Sequence, residues 1–145
     1  MDLVDNKLWR NMPVDVFINH IMPFAYKKQN VILLNDIRNF VFDYQLITDY
    51  YLYDLNEFCL LVDLIFFCNN GVSLVEKVDG SLYDILDRNI LFRNFSFEEK
   101  DDFVNQQFYL NIGSETQRKN KFLLSLLNQW ERTRFINKFL IVDFE

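Results

Sequence analysis

Turn-forming residues are nearly missing from this chain, which has 3 glycines and 2 prolines in 145 residues against average usage of about 7% and 5%. That excludes collagen-like and linker-rich architectures and leaves little with which to build the hairpins of a many-stranded β fold. Histidine occurs once and cysteine twice, too few for the usual four-ligand zinc site. Cys59 and Cys68 lie nine residues apart in what reads as one helix, on opposite faces and about 13 Å apart, too far for a disulfide. They read as small buried hydrophobes in a reducing compartment. The glycines are isolated, with no GxGxxG and no Walker loop, and Asp79, Asp84 and Asp87 miss the calcium-loop spacing. The longest apolar run, Phe58 to Phe67, is interrupted by Asp63 and falls short of a membrane span. Asp2 and Asp5 stand where a signal peptide needs positive charge. The expectation is a soluble protein that is not secreted and needs no metal or cofactor.

What is abundant is apolar and aromatic: half the residues are hydrophobic, with 16 Phe, 7 Tyr and 2 Trp. A chain this long encloses one compact core, and so many large rings exceed what it needs for itself. The net charge of −6 is uneven. Residues 114–138 hold six bases and two acids, so the remainder carries −10. An acidic body argues against wrapping nucleic acid.

Helical spacing dominates. Pro13 suits a first helical position with Asp15 in the first turn. The stripe Val14, Phe17, Ile18 and Ile21 predicts a helix to about Met22, ended by Pro23. Asn30 caps a second helix with the stripe Leu33, Leu34, Ile37, Phe40, Val41 and Tyr44, which runs on or breaks near Asp43. The stretch 44–55 favours helix over strand. Residues 56–68 predict a central helix buried on nearly all sides, closed by Asn69-Asn70-Gly71 in left-handed conformation. Residues 72–78 form a brief strand or one helical turn. Ser81 and Asp84 start a helix to about Leu91, and Ser96 with Glu99 is a capping box for a helix ending at Gly113. Ser114 with Gln117 opens a basic segment with Phe122, Leu123, Leu126, Leu127 and Trp130 as its apolar face, and a last helix covers roughly 133–140. The fold class is therefore all-α, or mainly α with at most a short strand pair: one bundle of six to seven short helices, divided into 12–44, a central body 45–113 and basic helices 114–145.

Catalytic chemistry finds no constellation. His20 has no cysteine near it in the sequence, and Glu98, Glu99, Asp101 and Asp102 are neighbours on one helix rather than carboxylates facing across a cleft. The expectation is a protein that is not an enzyme. Arg118, Lys119 and Lys121 fall on or near one helical face. Arg118, Lys121, Arg132 and Arg134 are the candidates for meeting an anion or an acidic partner, with nucleic acid the less favoured occupant.

Met12-Pro13 and Asp15, then Val16, Phe17 and Ile21, then Leu33-Leu34, Ile37 and Phe40, resemble an F-box, a motif of about three short helices that docks on the Skp-type adaptor of cullin ubiquitin ligases. The string HIMPFAYKKQNVILLNDIRNF is similar to a version in short proteins of large nucleocytoplasmic DNA viruses, and Glu131-Arg132-Thr133 with Phe135-Ile136 and Lys138 resembles their ending. The resemblance implies a protein–protein interaction module in the host cytoplasm or the virion, with Pro13, Val14, Phe17, Ile21, Leu33, Ile37 and Phe40 meeting the partner. That partner is the adaptor or, if the protein is a minor capsid or packaged component, a viral structural protein. The same stripes can instead close on one another as the protein's own core.

Overall fold

A computed structural model describes residues 13–25 and 30–141; for Phe24 and Ala25 it describes the backbone alone. Among the described residues every regular element is helical and there is no strand. The elements are α1 (Val14–Val16), a π-helical turn (Phe17–Ile21), α2 (Met22–Ala25), α3 (Val31–Asp54), α4 (Glu57–Cys68), α5 (Gly80–Leu86), α6 (Ile90–Arg93), α7 (Phe97–Val104), a second π-helical turn (Asn105–Leu110), α8 (Thr116–Leu126) and α9 (Gln129–Phe139). The chain divides into two compact units, Met1–Asn35 and Asp36–Glu145, with the boundary inside α3.

In the first unit Pro13 is the residue before the helix, with ψ 132°, rather than its first turn. Pro23 does not end the helix as its sequence position predicts; it lies inside α2. The π-helical turn explains this. The amide of Met22 donates to Phe17 O, five residues back, and the wider turn accommodates a residue that has no N–H to give. Asn30 caps α3 as expected, its Oδ1 accepting from the amide of Ile32 at 2.9 Å.

The second unit is built around α4. Leu60, Leu61, Leu64, Ile65 and Cys68 are buried on it, and its most extensive partner is α8, which contributes Leu123 and Leu124. Asn120 ties the two, donating from Nδ2 to Glu57 O at 2.9 Å. Leu82 and Leu86 of α5, Phe108 after α7 and Phe135 of α9 close the core. Phe58 and Val62 remain exposed along one side of α4, whose other residues are buried or half-buried, in keeping with a helix covered on nearly all sides. Its end matches expectation: Asn70 (φ 57°) and Gly71 (φ 74°) are left-handed, and the amide of Gly71 donates to Phe66 O at 2.8 Å.

Four helix starts differ from the sequence pattern. Asp79, not Ser81, caps α5 by accepting from the amide of Ser81, and the expected helix to Leu91 is two helices, the second capped by Asn89. Glu115, left-handed at φ 50° and without a side-chain cap, precedes α8 in place of a Ser114 box. The Ser96–Glu99 box is present. A second box, Asn128 with Glu131, starts α9 four residues earlier than the spacing predicts. Residues 72–78 form a hydrogen-bonded turn, with the amide of Lys77 donating to Ser73 O, and no strand.

Glu131 does more than cap. Its carboxylate accepts from Arg88 Nη1 and Nη2 at 2.6 and 2.8 Å and from the amide of Asn128, while Arg88 also donates to Leu126 O. The Arg88 hydrogen bonds hold the Glu131 carboxyl below the usual glutamate value. A depressed folded value means stability that is full above the unfolded glutamate pKa of about 4.3 and is lost as pH falls through the folded one. Urea titrations along a descending pH series should show Glu131→Gln losing less stability than the wild type over that window. Equal losses would mean that the pair does not shape the acid response.

Candidate interaction surface

The longest helix, α3, spans about 36 Å, yet the second unit buries only one side of it. Asp43, Ile47 and Tyr51 are covered, Phe40, Tyr44 and Tyr50 are half-buried against the core, and the Tyr51 hydroxyl donates to Asp63 Oδ2 at 2.6 Å. That bond and burial raise the phenol above the ordinary tyrosine range, burial contributing most. Residues 44–54 are thus helix, the favoured reading, and α3 continues unbroken through Asp43.

Outside that covered side α3 carries large apolar residues among exposed polar ones, Arg38, Gln45 and Asp49. Phe42, Leu46 and Tyr53, at i, i+4 and i+11, lie along one line of the helix, with Phe42 68% and Tyr53 89% exposed. Ile37, Val41 and Leu52 form a second exposed strip. Outer faces of surface helices are normally polar, so these exposed large apolar residues, with Asp49 between Leu46 and Tyr53, depart from the usual pattern among the described residues.

The residues marked by the F-box resemblance separate on this frame. Val14, Leu33 and Ile37 are exposed, as is Pro13, and Phe17 and Ile21 are half-buried. Phe40 is engaged within the second unit: it stacks on Tyr44 with ring centroids 5.9 Å apart, and the Arg132 guanidinium lies 5.3 Å from its ring. Residues 31–54 form one helix where an F-box has shorter ones.

The basic C-terminal residues separate too. Arg132, expected to face an anion or acidic partner, is 3% exposed, its Nε donating to Asp43 Oδ2 at 2.9 Å and its Nη1 to Leu127 O at 2.6 Å. Lys119, expected on an open face, is buried. Arg118 and Lys121 remain exposed on α8, Arg118 3.6 Å from Glu115. Arg134 is also exposed and stacks over Trp130 at 4.7 Å. Helical spacing placed Lys119 and Arg132 outside because neither residue type is commonly buried; the carbonyl or carboxylate that holds each lies elsewhere in the chain.

Burial pushes the Cys68 thiol up to about 12, so it stays protonated. His20 is exposed on the first π-helical turn. Among the described residues no three His, Cys, Asp or Glu side chains gather as a metal site, and no helix is long and apolar enough to cross a membrane. Comparison of the chain with family models, with curated proteins and with solved structures finds no match.

Proposed function

We propose that this protein is a non-enzymatic interaction module that docks a protein partner on the outer face of α3. One observation carries the reading: a helix buried along a single side exposes Phe42, Leu46 and Tyr53 on one line and Ile37, Val41 and Leu52 on another. Exposed large apolar side chains grouped in this way mark contact surfaces on soluble proteins. An apolar helix face received by a groove is a recurrent recognition mode.

The Skp-type adaptor is the partner that the resemblance implies, and Ile37 belongs both to that motif and to the exposed strip. Ile37→Asp with Phe42→Asp changes two exposed positions and should leave stability within about 0.5 kcal/mol. Binding to a purified Skp-type adaptor should fall by more than about 2 kcal/mol, roughly thirtyfold. Titration of the labelled adaptor measures the affinity and thermal melting checks the fold. An adaptor that fails to bind the wild type, or binds the double variant equally well, removes this reading.

A further inference from the structure

Away from α3, five phenylalanines from α6, α7, α8 and the segments beside them surround a cavity of about 420 Å³. Phe103 stands at its centre, with ring centroids 5.3 Å from Phe92, 5.9 Å from Phe108 and 6.4 Å from Phe122. Phe95 lies tilted beside Phe92 with centroids 5.7 Å apart, and Leu91, exposed, stands at the mouth. The volume lies within the range of small-molecule sites, which combine apolar walls with a few placed polar groups.

The polar group is unusual. Lys119 lines this cavity and is 7% exposed, and lysines are almost never covered to that degree without a charged partner. Its Nζ donates to Asn111 O at 2.6 Å, the carbonyl that ends the second π-helical turn. Among the described residues no carboxylate lies within ion-pair distance of that ammonium; Glu115, which also lines the cavity and pairs with Arg118 at 3.6 Å, acts on it only through space. A neutral carbonyl takes one of its three N–H donors and leaves two for a ligand, while Arg118 adds a second cation to the lining and Glu115 one carboxylate.

We propose that this cavity binds a hydrophobic monocarboxylate, its chain or ring among the phenylalanines and its carboxylate on Lys119. A single negative charge suits a lining in which two cations, Lys119 and Arg118, stand against one carboxylate, Glu115. A phosphate or other small polyanion would leave the phenylalanine walls without an apolar partner. The site is separate from the α3 surface, and its success or failure leaves that reading untouched.

Calorimetry with decanoate, below its micellar concentration, and with decanol as the uncharged counterpart tests the assignment on the full chain. Decanoate should bind the wild type, and Lys119→Met should weaken it at least tenfold while leaving decanol unchanged. Leu91→Trp, a change at an exposed position, should block both by filling the mouth. A lysine that only caps the preceding turn would lose thermal stability on substitution with no change in the ratio of decanoate to decanol affinity. That result overturns the proposal, as does absence of decanoate binding to the wild type or undiminished binding by Leu91→Trp.

Discussion

Replacing Arg132 with methionine should destabilise the protein by about 3–5 kcal/mol, the cost of leaving one member of a buried ion pair alone. The effect lands on Asp43, whose side chain is 12% exposed and accepts from Arg132 Nε at 2.9 Å. Without the guanidinium, that carboxylate is a desolvated charge between α3 and α9. Leu127 O also loses the 2.6 Å donor that closes the chain between α8 and α9, and Phe40 loses the cation over its ring. Arg132→Lys should recover little, because one ammonium cannot reproduce the planar set of donors that reaches Asp43 and Leu127 together. Joining Asp43→Leu to Arg132→Met should restore most of the loss, since an apolar pair of similar volume is often as stable as the ion pair it replaces. Urea unfolding of the two single variants and the double variant measures this coupling. Additive losses would show that Asp43 and Arg132 contribute independently and would refute the account.

The same pair shows what the sequence could and could not convey. Helix existence was legible because apolar spacing and side-chain caps are local: Asn30 and Ser96 each sit one residue before a helix and accept from an amide two or three residues on. The left-handed ending at Asn70 and Gly71 was legible for the same reason. Arg132 and Asp43 are 89 positions apart, and nothing in either neighbourhood announces the other. Pro23 failed as a stop because the preceding turn changes its hydrogen-bond register, a choice that depends on more than the proline. The stripe at Ile37, Val41 and Phe40 was visible at the start of α3, but Phe42, Leu46 and Tyr53 were not recognised as its outer line. That line becomes apparent only once residues 44–53 are known to be helical. Lys119 and the phenylalanine cavity depend on three helices meeting, which no spacing rule encodes.

Asn69→Leu should cost about 2–4 kcal/mol, although asparagine and leucine are close in size and the site carries no charge. Asn69 is fully buried at the end of α4 and uses its whole amide. Nδ2 donates to Val72 O at 2.6 Å and to Lys77 O at 2.8 Å, and Oδ1 accepts from the amide of Asp79 at 2.6 Å. Those three bonds hold the turn at 72–78 and deliver Asp79 to the start of α5, where its carboxylate takes the Ser81 amide; that bond also keeps the Asp79 carboxyl below its ordinary value. Leucine supplies none of the three. Each abandoned group costs about 1–3 kcal/mol when dry, and the sum is reduced because Lys77 lies at the surface, where water can replace one partner. Asn69→Asp discriminates hydrogen bonding from shape. Aspartate keeps the acceptor for Asp79 but cannot donate to two carbonyls while ionised. Burial opposite those oxygens raises its folded pKa, so its deficit against the wild type should shrink as pH falls, when the protonated acid regains one donor. Urea unfolding at neutral and acid pH gives the energies, and hydrogen exchange at the Asp79 amide reports the local bond. A leucine variant of wild-type stability with Asp79 still protected would mean that the turn holds itself and Asn69 is only a space-filling residue.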